Sequence, residues 1–163
     1  MKVLIAVDGS DCSNRAIESV AGRLWQEDDQ FIVISVVEPI PADVGVGYFP
    51  VSSGGIFQQQ YDDCANNCGT SGARLQTLLP GNQVEVRVVS GMVAETICNF
   101  AESWEADLII LGSHGRKGIS HFLLGSVAEE VLKKSPCSVE VVKVKQKLHT
   151  EPKQSKKSQT AKA

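Results

Sequence analysis

A chain of 163 residues fits one domain, since domains cluster at roughly 100 to 150 residues and can bury a real core at that size. It is 42% hydrophobic, yet no stretch nears the ~18 consecutive apolar residues of a membrane span, which excludes that class and points to a soluble protein. The net charge of −3 is uneven: residues 1 to 142 hold 9 basic and 18 acidic side chains, residues 143 to 163 hold 7 Lys and one Glu. An acidic body argues against a nucleic-acid surface, which needs clustered positive charge, and the lysine-rich tail reads as a solvated, disordered terminus rather than a contact for an acidic partner or membrane.

Lys2 to Val7 is a short apolar, β-branched run that ends at Asp8, and it reads as a first strand rather than a secretory leader. Ser10 or Ser13 can cap a first helix, in which Ala16, Ile17, Val20, Ala21 and Leu24 recur at helical spacing. Phe31 to Val37 is nearly continuous in apolar and β-branched residues, as a parallel strand covered on both faces should be. Residues 39 to 55 carry three prolines and four glycines, and read as a long irregular connection that can lie over a site as a flap.

A second helix follows from Tyr61, Ala65, Cys68, Gly72, Leu75 and Leu79, with Gly69 and Gly72 weakening it. Val84 to Val89 reads as a third strand, and Val93, Ile97, Phe100, Ala101 and Trp104 as the inward stripe of a third helix. Asp107 to Leu111 is a fourth strand, Ser126 to Lys134 a fourth helix and Ser138 to Val142 a fifth strand. Strands alternating with helices imply an α/β three-layer sandwich, a parallel sheet with helices on both faces. Ligands of such sheets sit at the carboxyl ends of the strands.

Five cysteines at 12, 64, 68, 98 and 137 lack the paired spacing of a disulfide framework, which indicates a reducing compartment, the cytoplasm. Cys64 and Cys68 share a helix face, but no second pair follows at metal-site spacing, so they read as small buried apolar residues.

Chemistry concentrates after the first and fourth strands. Gly112-Ser113-His114-Gly115 is followed, nine residues on, by Gly125-Ser126 at the start of the fourth helix. A glycine lets a ligand approach the backbone, and a helix start offers unpaired N–H groups to phosphate. Ser126 adds a hydroxyl and can cap that helix, Arg116 and Lys117 add positive charge, and Asp8 can accept from ribose hydroxyls or a base amino group. Each feature alone has a plainer reading as a turn, a cap or a surface charge; together they indicate an anion site. His114 reads as a phosphate-contacting or loop-shaping residue, because no nucleophile set surrounds it. No Gly-x-x-x-x-Gly-Lys-Ser/Thr run is present, and Gly45-x-Gly47 meets Pro50 where a dinucleotide fingerprint needs glycine or alanine.

With Val3-Leu4-Ile5-Ala6-Val7-Asp8-Gly9-Ser10, Ala106 through Gly115 and Leu124-Gly125-Ser126-Val127-Ala128 in place, residues 1 to 143 resemble the ATP-binding branch of the universal stress protein family. That resemblance implies a Rossmann-like fold of the adenine nucleotide alpha hydrolase type. Its five-stranded parallel sheet would have the order 3-2-1-4-5, with about four helices and a homodimer joined through residues 138 to 142. It implies ATP, with Mg²⁺ through the phosphates, as ligand. Val36 would read adenine through its main chain, with Ala6, Val7 and Asp8 lining the nucleoside pocket. Gly112, His114, Gly115, Arg116, Gly125, Ser126 and Val127 would hold ribose and phosphates. The tail, residues 144 to 163, and residues 39 to 57 fall outside what the resemblance assigns. A nucleotide-dependent stress-response switch leads, with slow ATP hydrolysis or phosphoryl or adenylyl transfer, and a nucleotide-independent dimeric module, as alternatives.

Overall fold

The computed structural model describes residues 1–39, 53–115 and 124–143. Strand β1, Lys2–Ala6, leads into helix α1, Asp11–Ala21, and strand β2, Gln30–Val37, precedes helix α2, Ser53–Leu78. Strand β3, Gln83–Ser90, is followed by helix α3, Val93–Trp104, and strand β4, Leu108–Gly112; helix α4, Ser126–Lys134, and strand β5, Ser138–Val142, complete the set. All neighbouring strands pair parallel, in the order β3-β2-β1-β4-β5. The sandwich and the strand order expected above are present.

Two cores flank the sheet because the inner strands are apolar at nearly every position, so alternate residues bury on opposite faces. Val3, Ile5, Val7, Phe31, Val33 and Ile110 pack with Ala16, Ile17 and Val20 of α1 and Cys68 and Leu75 of α2. Leu4, Ile32, Ile34, Ile109 and Leu111 pack with Ala94, Ile97 and Ala101 of α3 and Ala128 and Val131 of α4. Order 3-2-1-4-5 places β1 at the centre, where the chain turns from building one half of the sheet to the other. The crevice between the tips of β1 and β4 is therefore the switch point.

The structure corrects several local expectations. Helix α1 stops at Ala21 with Gly22 as its C-cap, so Leu24 lies beyond the stripe and is 101% exposed. The aromatic Trp25 covers that end instead: its Nε1–H donates to Val20 O at 2.8 Å, and its ring meets Phe31 edge-on at 5.1 Å. The inward face of α2 runs through Cys64, Cys68 and Leu75, with Leu79 buried just past its end, while Tyr61 is exposed and Ala65 only half-buried. Gly72 is required rather than merely tolerated, because a Cβ there would run into Cγ2 of Val86. Cys68 donates its thiol to Val33 O at 3.4 Å and Arg87 O at 3.5 Å, tying α2 to β2 and β3. Burial pushes that thiol up to about 11.

Asp107 precedes β4 rather than joining it, and its Oδ2 accepts from Lys2 N–H at 2.7 Å. Helix α4 has Gly125, not Ser126, at its N-cap, and no side chain caps it; Ser126 is the first helical residue. Residues 40–52, most of the expected flap, and 144–163, the expected tail, lie outside the described residues.

Candidate functional site

The tips of β1 and β4 lie side by side, with Ala6 opposite Leu111. From β1 the chain passes through Val7, whose N–H donates to Ile34 O at 2.9 Å, and then through Asp8 and Gly9 to the start of α1. Gly9 has φ +81, a left-handed conformation that favours glycine. Asp8 Oδ1 accepts Ser10 N–H at 3.0 Å, which orients the carboxylate toward its own loop. Ser10 is the N-cap of α1: its Oγ accepts from Ser13 N–H at 3.2 Å and donates to His114 O at 3.3 Å. One hydroxyl thus caps a helix and bolts the first loop to the fourth.

The three glycines of the spaced motif have three different neighbours. A Cβ on Gly112 would lie 2.7 Å from Cys12 Cβ, 2.8 Å from Cys12 C and 2.9 Å from Ser13 N, so the first turn of α1 requires glycine here. At Gly115 the missing Cβ would lie 2.8 Å from Asp8 Oδ2. At Gly125 it would lie 3.1 Å from Ser113 O and 3.4 Å from His114 Cα, and Gly125 N–H donates to that same Ser113 O at 2.8 Å. The start of α4 is thereby laid directly on the β4 loop, with Gly125 against Ser113 O and His114 Cα and no side chain capping the first turn.

Ser113, skipped by the spaced motif, is 1% exposed and structural. Its N–H extends the sheet to Val142 O at 2.8 Å, and its Oγ lies 3.0 Å from His114 Nδ1 and 3.8 Å from Cys12 Sγ. With Nδ1 held there, the other imidazole nitrogen, Nε2, is buried and has no partner among the described residues. A buried unpaired nitrogen is costly unless a ligand or water meets it.

Ala6, Val36 and Val127 are half-buried against one core, that of α3 and α4. Val7 belongs to the opposite core at 5% exposure, so its side chain does not join them. Strand β2 outruns β1: the last rung from β1 is Val7 N–H to Ile34 O, while Val37 O takes Gly91 N–H at 3.0 Å on the β3 side. Strand alternation therefore aims the amide and carbonyl of Val36 toward the β1 side, beyond that last rung. Arg116 and Lys117 lie outside the described residues. Sequence spacing did not reveal the bond from Ser10 to His114 O, nor the packing of Asn67 of α2 behind Gly9, because both join segments far apart in the chain.

Residues 1–143 match the family model described as the universal stress protein family. The chain belongs to that family. This universal stress protein is 31% identical over 142 residues to universal stress protein MJ0531 of Methanocaldococcus jannaschii, covering 87% of this chain and 81% of that one. Its fold superposes on the solved structure of protein MJ0577 with a TM-score of 0.77 at 28% identity, covering 90% of this chain and 97% of the other. A universal stress protein solved in complex with cAMP shares the fold with a TM-score of 0.61 at 24% identity, over 88% and 96% of the two chains. No helix among the described residues is long and apolar enough to cross a membrane.

Proposed function

We propose that this universal stress protein binds an adenine nucleotide, ATP with Mg²⁺ foremost, and acts as a nucleotide-dependent switch in a stress response. The observation that carries the reading is the convergence at one crevice of Asp8, the bare backbone of Gly115, the start of α4 at Gly125 and Ser126 with no side-chain cap, and His114 Nε2, which is unpaired among the described residues. The main chain of Val36, aimed to the β1 side beyond the last rung from β1, suits a base edge, with Ala6 and Val127 giving apolar flanks. The carboxylate of Asp8 suits ribose hydroxyls, and the first-turn N–H groups of α4 suit phosphates. Mg²⁺ would be held through those phosphates and would supply charge neutralisation between them. The cAMP complex of a protein of the same fold supports the choice of adenine.

Binding is favoured over turnover. Hydrolysis or transfer needs a group that positions the nucleophile and charge that stabilises the transition state, and Asp8 and His114, with Arg116 and Lys117 for charge, are a sparse set for that task, which suits weak turnover at most. We also propose that β5 joins two copies. It is the edge strand beside β4, with Val139, Val141 and Val142 half-buried, and an apolar edge is normally covered. The five free cysteines suit a reducing cytoplasmic setting.

The test is analysis of nucleotide retained through gentle purification, followed by calorimetric titration with ATP and AMP in the presence of Mg²⁺. Retained adenine nucleotide or saturable heat supports the reading, and neither appearing at millimolar nucleotide removes it. Sedimentation of the full chain tests the dimer, which a monomer at all concentrations would exclude.

A further inference from the structure

Helix α2 carries none of the glycine motif, yet it reaches the crevice through one side chain. Asn67 lies flat behind Gly9: the Cβ that Gly9 lacks would come 2.8 Å from Asn67 Nδ2, 2.9 Å from Cγ and 3.1 Å from Oδ1. Gly9 stands between the two residues that define the loop. Asp8 before it holds Ser10 N–H, and Ser10 after it reaches His114 O. The loop is therefore gripped by α1, by the β4 loop and, from behind, by α2.

Asn67 is also firmly seated. The next residue, Cys68, is fully buried and bonded to Val33 O and Arg87 O, and Gly72 one turn on is pressed against Val86. A helix fixed to the sheet at two successive turns makes its side chain a rigid stop rather than a mobile surface amide. A left-handed loop residue such as Gly9 has wide conformational freedom in the absence of such a stop.

We propose that Asn67 is a positioning residue of the nucleoside subsite: its carboxamide sets the height of Gly9 and thereby the place of the Asp8 carboxylate. The inference rests on the adenine nucleotide reading and assigns the part of that site controlled from α2. Bulk, not polarity, is what the contact supplies. Displacement of a binding group by even an ångström weakens a site, so the effect should fall on the part of the ligand that Asp8 meets and spare the part held by α4.

The experiment uses the full chain with adenosine and AMP as probes, titrated calorimetrically, and records urea unfolding of each variant. Asn67→Ala is expected to raise the Kd of both probes by one common factor of roughly fivefold, since adenosine and AMP share the nucleoside and differ only in phosphate. Asn67→Leu, which restores the branched shape without the amide, is expected to return both to within about twofold of the unaltered protein. Unfolding midpoints should stay close to that of the unaltered chain. The inference is overturned if Asn67→Ala binds as the unaltered protein does, if only AMP is weakened, or if Asn67→Leu is as weak as Asn67→Ala. It is overturned too if the affinity loss tracks a fall in the unfolding midpoint. Failure of the unaltered protein to bind either probe would instead remove the nucleotide reading, and this inference with it.

Discussion

Asp8 and Gly115 meet across the crevice: Oδ2 of the carboxylate lies 2.8 Å from where a Cβ on Gly115 would stand. The two residues are far apart in sequence, and their approach brings a carboxylate to the backbone of the glycine loop. Oδ1 is held by Ser10 N–H, so the carboxylate can yield to a new methyl group only by leaving its loop bond. Gly115→Ala should therefore lower adenine nucleotide affinity by roughly tenfold while changing unfolding free energy by less than about 1 kcal/mol, because the residue is exposed. Titration and urea unfolding of one preparation check both halves; unchanged affinity would detach Asp8 from ligand binding.

Gly112→Ala should behave in the opposite way. The added Cβ would press on the backbone of Cys12 and Ser13, which cannot rotate aside as a side-chain tip can. Overpacking against backbone should cost about 3 kcal/mol, visible as a lower urea midpoint even in ligand-free protein. A stability equal to that of the unaltered chain would contradict the close approach of α1 to β4.

Ser10→Ala removes the cap of α1 and the link to His114 O together. A lost N-cap costs about 1 kcal/mol, so a loss of that size in urea unfolding is expected. Nucleotide affinity should fall as well, since the two loops are no longer joined. Ser10→Thr, which keeps the hydroxyl, should recover most of both losses.

Cys68 makes stability fall at alkaline pH. Its thiol is raised by burial from an ordinary value of 9.0 to about 11, so as pH climbs past 9 the unfolded chain releases the proton while the folded chain retains it. The contribution is complete below pH 9 and is lost progressively toward pH 11. Urea unfolding across that range should show the decline, and Cys68→Ala should flatten it while costing about 1 kcal/mol at neutral pH. An identical slope in the variant would assign the decline to other groups.

The fold was legible because its signals are local. The nearly continuous apolar run at residues 31–37 and the apolar run at 108–111 need only neighbouring residues to declare a buried strand, and the glycine spacing declares a loop and helix start. The errors also have local causes. Leu24 fits the helical period of α1, but Gly22 ends the helix before that period can act, and Tyr61 fits the α2 stripe although Cys64 carries the buried face.

By itself, the sequence determined the order of strands and helices, the place of the glycine loop after β4 and the membership of Asp8 and Val36 in strand-tip regions. Those properties follow from periodicity and spacing along one stretch of chain. Only the tertiary structure decided that Gly112 serves α1, Gly115 faces Asp8, Gly125 rests on Ser113 and Asn67 backs Gly9. It likewise turned Val7 into one core and Val36 into the other. These are encounters between distant segments, fixed by sheet register and by how closely each helix is pressed to the sheet, and no local pattern encodes them.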